Sequence, residues 1–105
     1  MIAVKTTGDG CYLVSMNGNV EDLGHNECQM LMDGVMSFLR PHKDIAINLE
    51  GVKAIDDKGF FVLSELMMVA KKSRCYIQFF NIEPNLLNKI AGLTQKMNFT
   101  QREVE

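Results

Sequence analysis

The spacing of apolar positions changes several times along this chain, and each change marks an element. Residues 2 to 5 and 11 to 16 are short β-prone runs separated by Thr6-Thr7-Gly8-Asp9-Gly10, whose glycines suit a tight turn. They predict a hairpin or two neighbouring edge strands. From Asn26 the spacing becomes helical: Cys28, Leu31, Val35, Phe38 and Leu39 share one face, and Gln29, Asp33 and Ser37 the opposite one. Asn26 is the expected N-cap, with Gln29 reaching back as in a capping box, and Pro41 is expected to end the helix.

Ile45, Ala46, Ile47 and Leu49 then form a nearly continuous apolar run, the pattern of a central strand covered on both sides. Residues 58 to 73 read as a second helix, and CYIQFF, residues 75 to 80, as another strand of the same buried kind. Strand, helix and strand with short joints predict a right-handed crossover between parallel strands. Pro84 fits the first turn of a third helix with Leu86, Leu87 and Ile90 on its apolar side, ending at Gly92. Residues 96 to 105 either add an edge strand or trail off. The expected fold is α/β, or α+β: one domain over residues 1 to 105, with a mixed, mostly parallel sheet of four to five strands and three or more helices packed against it.

Composition narrows the function. The chain has 105 residues, 47% hydrophobic and 23% charged, enough for one core and no second. A net charge of −2 with scattered basic residues is no footprint for a polyanion, so nucleic acid is not an expected partner. The N-terminus lacks the basic flank and apolar core of a signal peptide, and no apolar run approaches membrane-spanning length, so a cytoplasmic protein with no membrane insertion is expected. Cys11, Cys28 and Cys75 have no C-x-x-C spacing and read as reduced and mostly buried. His25 and His42 lie near no ligand-type residues at zinc-like spacing. No nucleophile elbow, phosphate loop or dinucleotide fingerprint is present. The expectation is a non-enzymatic protein with no catalytic residues, metal or cofactor.

The chemistry concentrates in AINLEGVKAIDDKGFFVLSEL, residues 46 to 66, where Asp56 and Asp57 stand at what reads as a strand-to-helix turn. Loops of this kind are where open α/β sheets meet ligands. One aspartate serves as a helix cap worth about 1 kcal/mol, and a pair exceeds that need. Along the second helix Phe60, Leu63, Leu66, Met67 and Ala70 cluster on one side, widened by Val62 and Val69. Ser64, Glu65, Lys71 and Lys72 project away, yet Phe61 and Met68 fall within that polar face at nearly the same angle. An aromatic ring and a flexible thioether beside charged groups suit a protein-docking patch.

These residues resemble the STAS domain, typified by bacterial anti-sigma-factor antagonists. The resemblance spans nearly the whole chain: NGNV at Gly18, INLEGVKAIDDKGFFVLSELMMVAKKS, YIQFFNI and LLNKIAGLTQKMNF. The central segment looks like the family's strand, its Asp-Ser-Ser/Ala-Gly turn and its helix. The resemblance implies partner switching, in which a kinase-like anti-sigma factor phosphorylates a serine or threonine just after the turn aspartate and thereby ends docking. A phosphate adds about −1.5 to −2 charges in the middle of the docking face. Asp56 matches the family's aspartate and Gly59 its glycine, but Asp57 occupies the phosphoacceptor position and Lys58 that of the small residue after it.

Asp57 cannot take phosphate from a serine/threonine kinase, and it carries about half the charge of a phosphoserine. It either holds the domain near the phosphorylated state or, neutralised by Lys58, leaves it able to dock. Ser64 is either a substitute acceptor or an ordinary exposed serine. The expected site is therefore Asp56, Asp57, Lys58, Gly59, Phe61, Ser64 and Met68, meeting an anti-sigma factor that is a serine/threonine kinase-like protein. STAS domains also serve transporters and signalling assemblies, so a constitutive subunit is an alternative. A phosphoaspartate receiver with Asp57 as acceptor is the remote one, since it needs acidic residues beyond the first strand for magnesium, and Asp9 alone stands there.

Overall fold

A computed structural model of the chain describes residues 2–6, 11–16 and 20–97. In chain order the elements are β1 (Ile2–Thr6), β2 (Tyr12–Met16), β3 (Asp22–Leu23), α1 (His25–Met36), β4 (Asp44–Asn48), β5 (Ala54–Ile55), α2 (Asp57–Lys72), β6 (Tyr76–Phe80), a 3₁₀ turn at Pro84–Leu86, and α3 (Leu87–Met97). The early runs pair antiparallel as predicted, Ile2 opposite Met16 and Thr6 opposite Tyr12. The residues of the turn between them from Thr7 to Gly10, and Gly18 of the NGNV stretch, lie outside the described residues.

β2, β4 and β6 are parallel, so the main sheet is mixed, in the order β1-β2-β4-β6. β3 and β5 form a separate parallel pair. The α/β expectation is thus met, with three helices on a mostly parallel sheet. One detail differs: β4 is central but alternates, with Ile45, Ile47 and Leu49 buried and Ala46 and Asn48 half-buried. α1 and α2 pack on each other, and their buried residues join Ile45, Ile47 and Ile77 in one core cluster, so both helices cover the same sheet face. Among the described residues β6 is an edge strand, half-buried apart from Ile77, rather than a second central one.

Helix ends also depart from the sequence expectation. α1 is capped at Gly24, not Asn26, and the Gly24 N–H donates to Glu27 Oε1 at 3.0 Å in place of a Gln29 contact. The reason is that pairing with β5 fixes Leu23, so the chain must turn immediately after it. α1 stops at Met36, ahead of Pro41, because its last turn tightens: the Phe38 N–H donates to the Val35 carbonyl at 2.8 Å and the Phe38 ring meets Tyr12 at 4.8 Å between centroids. α3 does not stop at Gly92 but runs on to Met97. Ile90 and Leu93 form its inward stripe, continued by Leu86 of the 3₁₀ turn, and Leu87 is half exposed. The expected strand or tail falls mainly on residues 98–105, outside the described residues. Among the described residues no helix is long and apolar enough to cross a membrane.

Candidate functional site

The aspartate pair does not follow the central strand directly. After β4 the chain turns at Glu50-Gly51, where Gly51 has φ +87°, and then forms β5 against β3. The Lys53 and Ala54 N–H groups both donate to the Glu21 carbonyl, at 2.7 and 3.2 Å, and the Asp56 N–H donates to the Leu23 carbonyl at 3.1 Å. This small ribbon sets where α2 starts. Its strands are two residues long and carry no periodic signal, which is why the sequence pattern does not reveal it.

Asp56 is the N-cap of α2. Its Oδ1 accepts the Gly59 N–H at 2.7 Å, satisfying one of the helix's unpaired donors, while its carbonyl accepts the Phe60 N–H at 2.8 Å as the first intrahelical bond. Gly59 itself is buried. A β-carbon there would overlap the Leu23 carbonyl oxygen and lie 3.1 Å from both Cys28 Sγ and the Gly24 carbonyl oxygen. The first turn of α2 therefore presses backbone to backbone on the corner between β3 and α1.

This contact places the N-termini of α1 and α2 side by side, each served by a carboxylate, Glu27 for one and Asp56 for the other. A β-carbon at Gly24 would stand 3.2 Å from Asp56 Oδ2 and 3.2 Å from Glu27 Oε1, so that corner too is closely filled. Cys28 lies beneath. Burial first, and then the charges of Asp56 and Glu27, push its thiol up to about 12. On the far side Lys89 of α3 donates to the Ile55 carbonyl at 2.9 Å and stands 6.0 Å from the centroid of the Phe60 ring, bracing the turn from a third helix. Neither Glu27 nor Lys89 was expected at the site. For Glu27 the signal lay in the sequence, three residues after Gly24.

The seven expected residues separate into two groups. Asp56 and Gly59 build the turn, and Ser64 is half-buried with its hydroxyl donating to the Phe60 carbonyl at 3.0 Å. Asp57, Lys58, Phe61 and Met68 face outward, Phe61 with 64% and Met68 with 51% of its surface exposed. Ser64 is thus less available than an ordinary surface serine. Asp57 follows β5, which pairs with β3 outside the main sheet. Asp22, Glu27 and Asp56 line a shallow groove at the ribbon, yet among the described residues no three ligand-type side chains are placed to hold a metal ion.

No protein-family model and no curated protein matches the chain. Solved structures do. A crystal structure of Mglu superposes with a TM-score of 0.62 at 16% identity, covering 78% of this chain and 20% of that one. The murine anion transporter Slc26a9 in its inward-facing state gives a TM-score of 0.62 at 17% identity, covering 78% of this chain and 13% of that one. At these identities the likeness is one of fold. The present chain spans a fifth or less of the proteins it resembles.

Proposed function

We propose that this chain is a non-enzymatic STAS-like docking domain of the cytoplasm, which binds a partner protein through the turn at Asp56–Gly59 and the outward side of α2. Slc26a9 contains a STAS domain, and the shared fold supports the first half of that reading. The exposure of Phe61 and Met68 on one helix stripe, beside a turn held by three neighbouring elements, carries the second half. Large apolar side chains on a rigid face are what a protein interface desolvates first.

The partner is an anti-sigma factor of serine/threonine kinase-like character, and Asp57 supplies a fixed charge where a switching relative carries a phosphoacceptor. Asp56 does the capping, so Asp57 is not required for the turn and its carboxylate is left for the partner. A second reading, a constitutive subunit or module of a larger assembly, is favoured by the size of the similar chains, in which this fold is a minor part. Phosphorylation assays with a captured kinase-like partner separate the two. On the switching reading Asp57→Ser becomes a phosphate acceptor and then loses affinity; on the constitutive reading Asp57→Ser binds like wild type and takes no phosphate.

A further inference from the structure

The outward stripe of α2 has a symmetry that the docking proposal does not use. Asp57, Phe61, Glu65, Met68 and Lys72 are all exposed. At about 100° per residue they fall within an arc of about 80°. The midpoint of Asp57 and Lys72 lies between Ser64 and Glu65, and so does the midpoint of Phe61 and Met68. About that point Phe61 is matched by Met68 and Asp57 by the opposite charge of Lys72, with Glu65 at the centre. A surface with these two properties complements a reversed copy of itself.

We propose that α2 docks on α2 of a second copy of this chain, antiparallel and about a two-fold axis at Ser64-Glu65. The proposal rests on the docking face described above and names another occupant for it. Phe61 then meets Met68 of the second copy about 5 Å from the axis, and Asp57 meets Lys72 about 11 Å from it, each contact occurring twice by symmetry. Negative charge in the first turn of each helix lies over positive charge in the last turn of the other, the arrangement the helix dipoles also favour. Lys58 and Lys71 sit about 60° and 80° from the centre of the stripe on its two sides, outside the apolar strip. Two Glu65 side chains approach at the axis, and their repulsion limits the affinity. One helix face is a small interface, so the dimer is weak and reversible, and it buries the surface a partner would need.

Sedimentation equilibrium on the purified chain tests this without any partner. The expected result is a concentration-dependent dimer that Asp57→Lys and Lys72→Glu, both at exposed positions, each weaken at least about tenfold. An equimolar mixture of those two variants should recover most of the wild-type association, since each reversed charge then faces its complement. Glu65→Gln should tighten the dimer by about two- to fivefold. A wild-type chain that stays monomeric at millimolar concentration overturns the inference while leaving partner docking untouched. A dimer whose charge-reversed variants fail to recover on mixing overturns the antiparallel register.

Discussion

Gly59 and Leu23 are in backbone contact: no room exists for a β-carbon at position 59 beside the Leu23 carbonyl oxygen. Two helix starts and a two-residue ribbon meet at this point, and the position of the whole outward face of α2 depends on it. Gly59→Ala must push α2 off the β3–α1 corner and should cost about 2–3 kcal/mol in urea-unfolding stability. Gly92, in the body of α3, has nothing within 4 Å of a built β-carbon. Gly92→Ala should therefore stabilise the protein, by up to about 1 kcal/mol. The same substitution has opposite signs at the two sites, and equal effects would contradict the packing described here.

The two adjacent aspartates should also separate. Asp56 accepts the Gly59 N–H at 2.7 Å, whereas Asp57 is an exposed residue of the first turn. Asp56→Ala should destabilise by about 1 kcal/mol through loss of the cap, and Asp57→Ala by about 0.5 kcal/mol or less through the dipole alone. Thermal unfolding of both variants at low salt measures the difference. A larger loss at Asp57 would assign the cap to the wrong carboxylate.

Cys28 gives a pH signature. Its thiol is raised from 9.0 to about 12, with burial the main cause and the charges of Asp56 and Glu27 adding to it. In the unfolded chain this thiol ionises near 9, while in the folded protein it stays protonated, so folding holds a proton that unfolding releases. The resulting contribution to stability is complete below pH 9 and falls as pH rises from 9 to about 12. Comparing wild type with Cys28→Ala across that window removes the lysine and tyrosine background, and wild type should lose stability more steeply. Parallel pH profiles would show that the buried thiol is not the source.

Much of the fold was legible because the long elements carry clear periodicity. Leu31, Val35, Leu63, Leu66 and Ala70 repeat at helical spacing, and all are buried. The errors fell where a tertiary contact overrode a local rule. Asn26 is the better N-cap by residue type, but β3–β5 pairing moved the start of α1 to Gly24. Pro41 stands ready to end α1, but the helix stops at Met36, where the tightened last turn brings the Phe38 ring onto Tyr12. At the site, the exposure of Phe61 and Met68 followed from the helical wheel alone. The close approach at Gly59 and the reach of Lys89 to the Ile55 carbonyl join residues more than thirty positions apart, which no local pattern encodes.

Phe61 is the most direct test of the docking face, because its ring is mostly in water and contributes little to the core. Titration of a captured kinase-like partner against wild type, Phe61→Glu and Leu87→Glu compares two exposed apolar positions on different helices. Phe61→Glu should weaken binding at least about a hundredfold, the loss of a central interface residue, with unfolding stability changed by no more than about 0.5 kcal/mol. Leu87→Glu should bind as wild type does. Equal affinities for all three proteins, or equal losses in both variants, would contradict docking through the outward side of α2.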